Sequence, residues 1–297
     1  MNTDRYEAFV KQAYIFNKEH NTNLALITTW TIHNLDATYG HKLYNVNQQN
    51  AYASLIFESN FTDQHALSAG LSFNYDRYDQ DYRLTNNVAD TPLKAIDDEA
   101  VTGGYAQYTY TPNDKLTLML GLRGDYSDMY GFFVTPRANI RYAPNDYVTF
   151  RASAGKGYRT NHVLAENNFL LASSRSIQID KDLKQEEAWN YGFSIASYLP
   201  VCGKTLNLNG EYYYTQFVNQ VVVDMETDPH AVIFSNLNGQ SYSHVFQVEA
   251  TYPFFQGFNL TAAWRMTYVK NEINGILYEK PLTGRYKAVS YTHLTLP

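Results

Sequence analysis

From Leu116 to Leu122 every second residue is leucine, and the alternate positions carry Thr117, Gly121 and Arg123. Side chains along a strand point alternately to its two faces, so this spacing puts leucines on one side and polar or small groups on the other. The same alternation fills both arms of TPRANIRYAPNDYVTFRASAGKGYR, Thr135 to Arg159. Ala138, Ile140 and Tyr142 oppose Arg137, Asn139 and Arg141; after the Pro-Asn-Asp turn, Val148, Phe150, Ala152 and Ala154 oppose Thr149, Arg151 and Ser153. Four further hairpins flank the turns NKEHNTN, TDQH, PNDK and PVCGK, and another flanks PFFQG. In this last one Phe258, Leu260, Ala262, Trp264, Met266 and Tyr268 oppose Asn259, Thr261, Arg265 and Thr267.

A half-apolar antiparallel sheet belongs either on a soluble core or in a membrane barrel with lipid outside and a wet lumen inside. Length favours the barrel. Many runs reach 10 or more residues, against about 5 to 6 in ordinary sheets. The connections point the same way, because tight turns are expected to alternate strictly with longer polar stretches such as 79–101, 160–185 and 221–241. A barrel in the outer membrane sorts its loops like this, whereas a Greek-key sandwich does not. Tyrosine is abundant, 27 residues, while mean hydropathy is only -0.42. That combination suits a protein sitting between water and an apolar phase. Aromatics near strand ends, Tyr126, Tyr130, Phe132, Phe133 and Tyr212 to Tyr214, read as interface girdles. No apolar run reaches the roughly 18 residues of a spanning helix.

The expected fold is therefore all-β: an antiparallel up-and-down transmembrane β-barrel, partial, with about 12 to 13 strands of a larger barrel. Residues 1–287 form one domain in this reading. The net charge of -6 argues against a nucleic-acid partner, and the single Cys202 forms no internal disulfide.

The run from Thr135 to Thr160 resembles the barrel of TonB-dependent outer-membrane receptors. The resemblance rests on Pro136, Arg137, Asn139, Arg141 and Tyr142, then Pro144 and Asp146, then Gly155, Gly157, Tyr158 and Arg159. The continuation AENNFLLASSRSIQIDKDLKQEEAWNYGF is similar to the Bacteroidetes-type branch. This implies a bacterial outer-membrane protein, surrounded by lipid, that takes up a scarce large solute such as a ferric siderophore, haem or cobalamin. Its transported cargo would be an iron or cobalt complex, and it would be energised by the TonB complex through a plug domain. The family has that plug and a TonB-contacting box ahead of the barrel, about 22 strands in all. Neither segment is found here, and MNTDRYEAFV has no secretory signal. The chain is thus expected to be an internal fragment. Its ending AVSYTHLTLP fits no strand continuation, so residues 288–297 are read as a non-native tail. The alternatives are a passive porin and a soluble glycan-binding β-sandwich.

No catalytic or metal site and no cofactor are expected. GKGYRT lacks the Gly spacing of a phosphate loop. Asp76, Asp79 and Asp81 do not follow a calcium-loop order, and His162, Glu166 and Ser173 lack a paired base and oxyanion donor. Two sets of residues remain as candidates. His162, Glu166, Asn167 and His230 fall in long loops predicted to be extracellular, where solute is first met. Arg123, Arg137, Arg141, Arg151 and Arg265 fall on polar strand faces, placing them toward the lumen or a plug.

Overall fold

The computed structural model describes residues 1–279 and 284–294. Eight long strands follow one another first: β1 (Asn2–Asn17), β2 (Thr22–Tyr39), β3 (Lys42–Thr62), β4 (His65–Arg83), β5 (Leu93–Asn113), β6 (Leu116–Ser127), β7 (Gly131–Asn145) and β8 (Val148–Arg159). A short helix α1 (Val163–Asn167), a 3₁₀ turn (Asn168–Ala172) and β9 (Ser176–Ile179) come next. The wall resumes with β10 (Glu186–Val201) and β11 (Lys204–Asn219). It is interrupted by the short β12 (Val221–Asp224) and β13 (Ala231–Asn236), then continues with β14 (Ser241–Phe255) and β15 (Phe258–Ile273). Finally β16 (Ile276–Glu279) and β17 (Tyr286–Leu294) both pair with β15, one at each end.

Every strand of the main sheet pairs antiparallel with its neighbour in chain order, apart from the short loop strands, giving a 14-stranded up-and-down sheet. The six expected hairpins are all present. The strict alternation of short and long connections is not. On the long-loop rim β2 meets β3 through Gly40 and His41, and β6 meets β7 through residues 128–130. The expected loop 79–101 shrinks to 84–92, because its two ends extend β4 and β5. The stretch for which no strand continuation was expected is also strand: Ala288 to Leu294 pair with Trp264 to Phe258. Residues 295–297 of that stretch lie outside the described residues.

Among the described residues the sheet has no second layer on its apolar side. Leu71 is 65% exposed, Leu120 63% and Phe132 70%. A sandwich buries such groups between two sheets about 10 Å apart, so the soluble sandwich is excluded. Register places these residues together on one continuous outer face: Phe73 lies beside Thr102, Thr102 beside Tyr126, and Tyr126 beside Phe132. On this face the strands carry aromatic rings ten positions apart, at His65 and Tyr75, Phe132 and Tyr142, Tyr242 and Tyr252, Phe258 and Tyr268. Ten residues rise about 33 Å along a strand, and a tilt of about 40° reduces this to about 25 Å, the height of a barrel's apolar band. Parity divides the expected girdle residues: Tyr212 and Tyr214 face outward, while Tyr213 and Phe133 fall on the other face.

Candidate functional site

The inner face of the sheet is polar. Following the register from strand to strand puts Arg123, Arg137, Arg141, Arg151 and Arg265 all on it. Five charged residues fall into one row along the hydrogen-bonding direction. Arg141 is opposite Arg151, Arg151 opposite Ser194, and Ser194 opposite Glu211. Glu211 then faces Gln247, and Gln247 faces Arg265, which is opposite Lys287. Along that row four cations accompany one carboxylate.

Glycines decide how the inner side chains lie. Arg123 donates from Nε to Asp125 Oδ2 at 2.7 Å and from Nη2 to Ser72 Oγ at 2.7 Å. The ion pair occupies the space over Gly103, where any Cβ would collide with the Asp125 carboxylate. The stem of Arg137 lies across Gly121, with a built Cβ only 3.1 Å from its Cγ, and its guanidinium donates to Gln107 Oε1. Tyr213 lies over Gly192 in the same way, its ring 2.6 Å from where a Cβ would sit. Large groups are thereby laid flat against the wall instead of projecting from it.

The long-loop rim is built differently. The segment after β8 turns back onto the inner face of β2, β3 and β4, and Leu164 and Leu171 pack there with Leu35, Ala37, Tyr44, Val46 and Tyr78. Lys42, 1% exposed, has no carboxylate partner among the described residues; its Nζ donates to the carbonyls of Ser173 at 2.9 Å and Arg175 at 2.6 Å. Burial lowers the pKa of this ammonium. Tyr39 Oη donates to Asn168 Oδ1 at 2.6 Å. Loop 220–240 joins the same structure, because β13 pairs with β12 on one side and runs parallel to β9 on the other. Ala231, Val232 and Phe234, in the central strand β13 of this three-stranded sheet, are buried.

The four loop residues expected to meet solute occupy different settings. His162 is stacked on Tyr78 with ring centroids 3.8 Å apart. Burial lowers its pKa, against the opposing pull of Asp76, Asp97, Glu166 and Glu99. Glu166 pairs with Arg159 at 3.0 Å and accepts from the His162 backbone N–H at 3.3 Å. Asn167 Nδ2 donates to the Val163 carbonyl at 3.0 Å. His230 is exposed, and its carbonyl accepts from the Ser176 N–H at 2.8 Å. No hydrogen bond or ring stacking joins His162 to His230 among the described residues.

Asp76 and the pair Asp79 and Asp81 alternate across β4, so they do not converge. No group of three metal-binding side chains occurs among the described residues. Ser173 Oγ donates to the Leu170 carbonyl. Sequence reasoning missed Lys42 and Tyr44, since nothing local marks a lysine after a Gly-His turn as the anchor of a loop 130 residues away.

One antiparallel layer with an apolar band outside and a polar inner face is the wall of a transmembrane β-barrel in the outer membrane. Residues 2–294 match the family described as TonB dependent receptor-like, beta-barrel, and the chain belongs to that family of transport receptors. Among solved structures it is similar to the copper transporter OprC, with TM-score 0.73 and 12% identity over 99% of this chain and 50% of that one. It is also similar to the alcaligin outer-membrane receptor FauA from Bordetella pertussis, with TM-score 0.64 and 17% identity over 99% and 51%. The ferric yersiniabactin uptake receptor FyuA from Yersinia pestis gives TM-score 0.67 and 13% identity over 98% and 47%. The chain thus spans about half the length of these receptors. A comparison with curated protein sequences finds no match.

Proposed function

We propose that this chain is part of the barrel of an active transporter that takes up a scarce large solute, a ferric siderophore, haem or cobalamin, energised through TonB. The observation that carries this reading is the continuous polar inner face behind an apolar band, in a chain belonging to the receptor family. In this reading the inner arginines face the lumen and a plug domain encoded outside this chain. The joined loops 160–185 and 220–240 form part of the solute-contacting rim. His230 is the accessible imidazole there; His162, Glu166 and Asn167 shape the rim beside it. The chain itself carries no catalytic role. Residues 288–297 are read as foreign to the gene, which the genomic sequence at that junction tests.

The functional test uses the complete receptor, expressed in a strain lacking its own uptake systems, under iron limitation. Growth and uptake of labelled ferric siderophores, haem and cobalamin are measured with and without TonB. Saturable uptake of one of them that disappears without TonB is the expected result. Leakage of small solutes that ignores TonB would instead favour the passive porin.

A further inference from the structure

We propose that Arg141 and Arg151 together seat a carboxylate side chain from the part of the receptor that fills the barrel. The proposal rests on the reading above that the lumen is occupied, and it names the chemistry of the contact. The two arginines are direct cross-strand partners on the inner face. Directly opposed residues have Cβ atoms about 4.5 to 5.5 Å apart, and like charges so placed destabilise the pair. Neither side chain has an ion-pair or hydrogen-bond partner among the described residues; Arg151 is exposed and Arg141 half-buried. The flanking positions supply no acid: Thr117 lies beside Arg141 and Ser194 beside Arg151. Asn139 and Ser153, the next inward pair, are neutral too.

Shape agrees with charge. A cavity of about 220 Å³ is lined by both arginines together with Asn139, Ser153 and Tyr213. Its floor is kept low because Tyr213 lies flat over Gly192, so another protein surface can approach the backbone there. Two guanidinium forks lining one cavity suit the two oxygens of a carboxylate. A tethered carboxylate is favoured over a free anion. Two solvent-accessible cations, one of them only half-buried, hold a diffusing ion weakly, whereas a carboxylate delivered by the same polypeptide acts at high effective concentration. The tether has a source, since the chain spans only about half of comparable receptors.

The test uses the complete receptor in detergent and compares Arg141→Gln, Arg151→Gln and the double variant. A seated carboxylate predicts that each single change lowers the melting temperature by a few degrees and that the double change adds little more. Without an occupant, removing one of two like charges leaves the melting temperature unchanged or raises it, which overturns the proposal. A photoreactive amino acid at Ser153 gives a readout that does not depend on stability. The expected cross-link joins Ser153 to an Asp- or Glu-containing peptide outside residues 1–297. Absence of such a link, with a melting temperature that instead rises with added inorganic phosphate, would assign the pair to a free anion and overturn the tethered carboxylate. Neither readout involves uptake, so loss of TonB-dependent transport and loss of this contact register separately.

Discussion

The inner face is closed at one place and open at another. At the loop-rim ends of β2, β3 and β4 the chain covers its own wall, with Tyr44 fully buried, Leu171 2% exposed and Lys42 spending its ammonium on two loop carbonyls. Farther round, along β7 to β15, Arg141, Arg151, Glu211 and Arg265 stand with no partner among the described residues. The difference shows which contacts the chain completes from its own residues and which call for a complement from elsewhere. It also separates stability, which the closed region supplies, from docking, which the open region offers.

The largest effect is expected in the closed region. Tyr44→Ala removes a buried ring at the centre of the loop contact, a loss of about 3 to 5 kcal/mol for an aromatic-to-alanine change. Thermal unfolding of the complete receptor should fall sharply, and loop 160–185 should become open to trypsin at Lys181 and Lys184. An unchanged digest would show that the loop is not held by this cluster.

Next comes the outer face, which tests the same wall from its other side. Leu120→Lys puts a charge midway up the apolar band and should cost roughly 2 to 4 kcal/mol if the residue meets lipid near the midplane. Reversible unfolding in phospholipid bilayers reads this out. Arg123→Lys, one wall thickness away on the polar face, is the control: it breaks a bidentate contact but buries no charge in lipid, so its effect is smaller.

Lys42→Met keeps the length of the side chain but leaves the Ser173 and Arg175 carbonyls without their donor. A lost buried hydrogen-bonding partner costs about 1 to 3 kcal/mol. Amide exchange should rise in residues 163–176 while the strands of the wall keep their protection. Protection lost equally across β10 to β15 would refute a local anchor.

The smallest effect is pH dependence. His162 faces Tyr78, Asp76, Asp97, Glu99 and Glu166, and burial lowers its pKa while the loop is docked. A released loop would return the imidazole to an ordinary value of about 6.5. Docking stability is therefore fully present above that ordinary pKa, and it is lost as pH falls from there toward the lowered docked value. Protection of the α1 amides, measured against their intrinsic exchange rates, should fall between pH 7.5 and 5.5, and His162→Gln should flatten the response. A response that persists in that variant would place the titration in the surrounding carboxylates.

Strand parity was legible wherever the chain crosses the apolar band, because there one face must be greasy. Leu116, Leu118, Leu120 and Leu122 announce β6 without help. Above the band both faces of a strand are wet or covered by protein, and the signal fades. Asn45, Asn47 and Gln49 fall on the outer face of β3, and Asp79, Asp81 and Arg83 on that of β4, so these stretches read as loop. Register was invisible for another reason. Parity tells which face Arg141, Arg151 and Arg265 occupy, but only the pairing of six neighbouring strands aligns them in one row. Of the loop candidates, the sequence marked His162 as distinctive without showing that its partner is Tyr78, 84 positions earlier.

The central claim is that one protein layer separates hydrocarbon from a polar interior. It is tested most directly by nitroxide scanning of residues 116–123 in the complete receptor in bilayers, with Cys202 replaced by serine. The account predicts oxygen-accessible labels at Leu118, Leu120 and Leu122 and labels shielded from oxygen at Thr117, Gly121 and Arg123. Leucine-site labels inaccessible to both oxygen and a water-soluble nickel reagent would mean a second layer covers that face, and would contradict it.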